Sequence, residues 1–99
     1  MPLRENLPPT ASKVEKIGEK KLYSASAARN ATFILEVLSL HLPDKGKVLE
    51  LASGTGQHCK YFAEAFCNLE WQPSEINQQR LDSIQAYIKE TNQVNINMP

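Results

Sequence analysis

The stretch Lys47-Val48-Leu49-Glu50-Leu51-Ala52-Ser53-Gly54-Thr55-Gly56 decides how this chain is read. Its first five residues form a short apolar run broken by one acid, the pattern of a buried strand. Small residues follow, and glycine lets a ligand approach the backbone because it has no side chain to obstruct the approach. Beyond this turn, Cys59, Phe62, Ala63 and Phe66 recur at three- and four-residue steps, which predicts a helix over 57–66. The start of that helix is expected to offer unpaired amide donors to a ligand.

Working upstream, Ala31, Ile34, Leu35, Leu38 and Leu42 give one apolar face to a helix that begins at Ser26 or Asn30. Pro43-Asp44-Lys45-Gly46 stops it and turns the chain. Downstream, Leu69-Glu70-Trp71-Gln72 reads as a second strand closed by Pro73. Ser74 or Asn77 caps a third helix that buries Leu81, Ile84 and Ile88, and Val94-Asn95-Ile96 begins a third strand. Helices alternating with strands predict an α/β fold with a parallel sheet. Residues 1–22 carry Pro2, Pro8, Pro9 and many charges without an apolar period, so they are expected to be an irregular lead to a domain over 23–99. Lys13, Lys16, Lys20 and Lys21 alternate there with Glu15 and Glu19, which makes a solvated face rather than a basic patch.

Bulk composition narrows the function classes. The 99 residues hold 41% hydrophobic and 22% charged side chains, ordinary for a globular domain. Lysine plus arginine, 11, balances aspartate plus glutamate, 11, so no electrostatic case exists for nucleic acid or an anionic membrane as partner. No apolar run is long enough to span a bilayer. The first residues lack the apolar core of a secretory signal, and Glu5, Glu15 and Glu19 argue against a transit peptide. Cys59 and Cys67, on or near one helix, would lie about 12 Å apart, too far for a disulfide. Free thiols fit a reducing compartment, so a cytoplasmic or nuclear chain is expected. No second Cys/His pair completes a zinc site.

The ligand is narrowed by the loop. Glu75 follows Gly56 by 19 residues, at the end of the next strand, where an acid can accept both hydroxyls of a ribose. A dinucleotide fingerprint would need a third glycine at position 59, which is Cys59, and no phosphate-loop run is present. Glu50 would repel a pyrophosphate and would pair instead with the ammonium of an amino-acid moiety. An acid, a small-residue loop and a second acid therefore favour S-adenosylmethionine (SAM), which has an ammonium and a sulfonium but no phosphate, over NAD. Plainer readings stand beside this one: an ordinary strand-to-helix turn, a partly exposed Glu50, and Glu75 as a helix amino-terminal acid.

Val48-Leu49-Glu50-Leu51-Ala52-Ser53-Gly54-Thr55-Gly56-Gln57-His58 resembles motif I of class I SAM-dependent methyltransferases, in the form found in the methyltransferase-like protein 26 family. Tyr61-Phe62-Ala63, Trp71-Gln72-Pro73-Ser74-Glu75, Asp82-Ser83-Ile84 and, upstream, Ala27-Ala28-Arg29-Asn30 carry the same resemblance, which spans Ser24 to Pro99. It implies a partial Rossmann-like sheet and a cofactor pocket formed by Glu50, Ala52, Ser53, Gly54, Thr55, Gly56 and Glu75. Ala52 stands where generic methyltransferases have glycine, and Glu75 where this group usually has aspartate.

The resemblance also implies a longer domain, in which the first strand lies between the second and the fourth. Without that fourth strand the edge at Val48–Leu51 would be open, which predicts self-association or a missing partner segment, and no methyl transfer by this chain alone. The methyl acceptor is not specified by any motif. A non-catalytic module acting through a partner is the competing reading. His58, Arg29 and Trp71 are expected to be structural, and Phe33, Phe62 and Phe66 to belong to the core.

Overall fold

A computed structural model describes residues 14–99, in the element order β1 (Glu15–Lys16), β2 (Leu22–Tyr23), α1 (Ala25–His41), β3 (Gly46–Glu50), α2 (Gln57–Ala65), β4 (Leu69–Pro73) and α3 (Gln78–Glu90). The class is α/β. Strands β3 and β4 pair in parallel from Gly46↔Leu69 to Glu50↔Pro73, with α2 as the connection between them. The chain beyond α3 returns along the free edge of β4, where Trp71 N–H donates to Asn95 O at 2.7 Å and Asn97 N–H to Trp71 O at 2.9 Å. The predicted third strand is thus a single parallel bridge, Trp71↔Ile96. Val94, 97% exposed, takes no part in it.

The helix boundaries follow from capping. Ser24 caps α1 by accepting from Ala27 N–H, so the helix starts one residue before Ser26. Asn77, rather than Ser74, caps α3 through Arg80 N–H. The core unites Cys59, Phe62 and Ala63 of α2 with Trp71, Ile84 and Ile96, and Ile34, Leu35, Leu38, Leu42, Val48, Phe66 and Ile88 pack against it. Leu81 is half-buried at the margin.

Three expectations are corrected. Residues 14–22 are not irregular: β1 and β2 form a short antiparallel hairpin, and Leu22 is buried. Tertiary contact stabilises what local propensity does not, because Leu22 N–H donates to Ser83 Oγ and Tyr87 O–H to Leu22 O, both at α3. The reading of residues 1–13 lies outside the described residues. The strand at 47–51 is not buried throughout: Leu49 is 64% exposed, beside a second edge of β3 that has no partner among the described residues, as expected without a fourth strand. Phe33, 68% exposed, is not a core residue; it shares α1 with exposed Val37 and Leu40, and the face bearing Ile34, Leu35 and Leu38 turns inward instead.

Candidate functional site

Two segments meet at the carboxyl ends of the parallel strands: the loop from Glu50 to Gly56 and the turn from Pro73 to Asn77. Their backbones interlock. Ser53 N–H donates to Ser74 O at 2.8 Å, and Ser74 N–H donates to Ser53 Oγ at 2.9 Å. Ser74 Oγ–H donates to Glu50 O at 2.6 Å, and Gly54 N–H donates to Glu75 Oε1 at 2.9 Å. All the residues predicted for the site, Glu50, Ala52, Ser53, Gly54, Thr55, Gly56 and Glu75, are brought to this one place.

The loop needs left-handed backbone at Ala52 (φ 53°), Gly54 (φ 65°) and Gly56 (φ 98°). At Gly56 the requirement is also steric, since a Cβ there would lie 2.8 Å from Ile84 Cα. At Ala52 an L side chain sits where glycine is favoured, which costs about 1–2 kcal/mol.

Part of the expected supply of free amides at the start of α2 is taken up internally. Gln57 N–H donates to Thr55 Oγ1, Gly56 N–H to Ser53 O, and Ser53 and Gly54 donate to the opposite segment. Thr55 and Ser53, both buried, turn these donors inward. An anion that sought the amides of Ser53, Gly54, Gly56 or Gln57 would have to displace these internal bonds.

The two acids differ in environment. Glu50 projects inward from the end of β3, and its Oε1 is buried with no hydrogen-bond partner. Burial raises its carboxyl above the ordinary range, offset in part by Ser53, His58 and Trp71. Trp71 Nε1 is likewise buried without a partner. Glu75 is in the opposite state: slight burial works against its charge, but amide bonds from Asn77, Gly54 and Ile76, with Arg80 nearby, hold its carboxyl below the ordinary range. Ile76 and Asn77 both donate to Oε2 at 3.0 Å.

Behind the loop lies a network that the motifs contained but that residue type alone did not reveal. Ser83 is fully buried, accepting from Leu22 N–H and donating to Thr55 O at 2.6 Å. Gln57 brackets the Ser24 backbone, accepting from its N–H at 2.6 Å and donating to its O at 3.2 Å. His58 Nε2 lies 3.0 Å from both Ala27 O and Asn30 Oδ1, a structural role that ties α2 to α1. Arg29 Nη2 donates to Ser26 Oγ on its own helix, at an exposed position. Cys59, fully buried, donates to Gly56 O, and burial, reinforced by the Glu50 charge, pushes its thiol up to about 12. Cys67 is free and exposed.

Residues 21–99 match the family described as a protein of unknown function (DUF938), and the chain belongs to that family. The match covers β2, the Ser24 cap of α1, the loop and the turn at Glu75, so the residues that build this site fall within the family's shared region. No described helix is long and apolar enough to cross a membrane.

Proposed function

We propose that this chain carries the cofactor side of a SAM site in a class I methyltransferase-like, Rossmann-like domain, with Glu50, Ala52 to Gly56 and Glu75 as its residues. The observation that carries this reading is the orphaned Glu50 carboxylate oxygen, buried at the carboxyl end of β3 beside a loop in left-handed conformation. A buried carboxylate oxygen without a hydrogen bond is costly, and a ligand ammonium lowers that cost. The internal bonds of the Ser53, Gly54, Gly56 and Gln57 amides support the same choice, since those donors are not turned toward an anion.

SAM, when bound, would supply an activated methyl group. Glu50 would orient the amino-acid end, the bare backbone at Gly54 would admit the nucleoside, Gly56 would let the loop pack against α3, and Glu75 would fix the loop against the turn. Rate enhancement would then come mainly from alignment of an acceptor of unknown identity and from exclusion of water. The competing reading is a non-catalytic module that works through a partner. The second edge of β3, open among the described residues, and the exposed Leu49 and Leu51 favour a requirement for a further strand, whether from this chain or another.

The single tryptophan, Trp71, is 2% exposed, and its indole N–H shares the interior with Glu50. Its fluorescence therefore tests the proposal. Saturable change on adding SAM, absent in Glu50→Gln, is the expected result; an unresponsive, folded wild type would contradict it.

A further inference from the structure

The acid expected to take both ribose hydroxyls already accepts three backbone N–H bonds, which leaves about one of a carboxylate's roughly four acceptor positions for two hydroxyls. Oε1 of Glu75 accepts from Gly54 N–H at 2.9 Å, and Oε2 accepts from both Ile76 N–H and Asn77 N–H at 3.0 Å. One carboxylate thus spans from the glycine loop to the residues that open α3, and Asn77 is itself the cap of that helix. The span depends on glutamate. An aspartate at this position could still accept from its own following amides, in the manner of an Asx turn, but it is one methylene short of Gly54. We infer that Glu75 is a positioning residue: its carboxylate clasps the loop to the start of α3, and it sustains nucleoside binding through Gly54 rather than by accepting the ribose hydroxyls.

Three neighbouring bonds give the clasp its effect. Ser53 and Ser74 already join the two segments through reciprocal bonds, and Ser74 Oγ–H reaches Glu50 O. Glu75 adds the outermost link, at the glycine with φ 65°, where no side chain limits loop opening. Loss of that link frees Gly54 while leaving the Ser53–Ser74 pair intact. The loop then has more conformations to lose on binding, and affinity falls although no ligand contact has been removed.

The binding half of this inference rests on the nucleoside-site reading above; the clasp itself does not. Two variants separate the roles. In Glu75→Asp, hydrogen exchange of the Gly54 amide should accelerate about tenfold, while Ile76 and Asn77 stay protected and the Trp71 amide reports an intact core. In Glu75→Ala, adenosine should bind more weakly, yet the ratio of its affinity to that of 2′,3′-dideoxyadenosine should match the wild-type ratio. Unchanged Gly54 exchange in Glu75→Asp would overturn the clasp. Disappearance of the preference for adenosine in Glu75→Ala would overturn the positioning role, because it would place the hydroxyls on the carboxylate. If wild-type protein binds neither nucleoside, the nucleoside-site reading falls, and Gly54 exchange alone decides the clasp.

Discussion

Gly56 and Ile84 face each other so closely that a Cβ on the glycine would stand 2.8 Å from the Ile84 Cα, with Tyr87 Cδ2 at 3.2 Å. This contact sets the separation between the loop and α3, and α3 has no room to retreat because Ile84 is fully buried. Gly56 also holds φ 98°, so a substituent meets both a steric and a conformational barrier. Gly56→Ala should destabilise the fold by about 3 kcal/mol or more, measured by urea denaturation. Ala52 is the converse case. It pays for a left-handed conformation with no compensating contact that requires its methyl group, so Ala52→Gly should be neutral to about 1 kcal/mol stabilising.

Ser83 joins three segments that are distant in sequence. Its hydroxyl accepts from Leu22 N–H and donates to Thr55 O, at a position with no solvent exposure. Ser83→Ala would leave a buried donor and a buried acceptor unsatisfied, and should cost about 2–3 kcal/mol. Amide exchange at Leu22 should rise with it, since the hairpin is held to α3 through this bond and through Tyr87.

Asn95 locks the returning chain. Its Nδ2 group donates to Ala63 O, Phe66 O and Leu69 O at 2.9, 3.1 and 2.8 Å. Asn95→Asp replaces the donor with an acceptor facing three carbonyls, and should destabilise by about 2–4 kcal/mol in thermal unfolding. The loss should be smaller at acid pH, where the carboxyl regains a proton to donate.

Glu50 and Glu75 predict opposite pH responses. Glu50 titrates above the ordinary carboxyl range when folded, so its contribution to stability is full in acid and is lost as pH rises through its folded value. Glu75 titrates below that range, so its contribution holds above the ordinary value and is lost as pH falls through its folded value. Glu50→Gln should therefore raise stability near neutral pH by about 0.5–2 kcal/mol and weaken the fall in stability as Glu50 ionises. The same change should weaken SAM binding. A site that costs stability until its ligand arrives is the expected signature.

The periodic segments were legible because their apolar residues repeat. The core positions Cys59, Phe62, Ala63 and Ile84 and the parallel pairing of two strands around a helix are as the sequence predicts. The convergence of Glu50, the loop and Glu75 was legible from spacing. What periodicity does not carry is polar connectivity. Nothing in a serine's identity at position 83 announces a bond to Leu22, and the hairpin at 15–23 is held to α3 by that bond, by Tyr87 and by the Lys21–Glu90 ion pair. The open edge of β3 is the one expected without a fourth strand, whereas the burial that its apolar residues suggest is not found at Leu49. An apolar strand sequence records the surroundings it is suited to, and Leu49 finds cover on neither its own edge nor its own face here. Glu75 was placed correctly by spacing, but its reach to Gly54 depends on one methylene and a backbone direction that only coordinates give.

The most direct test is calorimetric titration of the wild-type chain with SAM, alongside NAD and the Glu50→Gln variant. The account predicts saturable heat with SAM, none with NAD, and at least tenfold weaker binding in the variant. A folded chain that binds NAD in preference to SAM, or that binds SAM equally well with and without the Glu50 carboxylate, would contradict it.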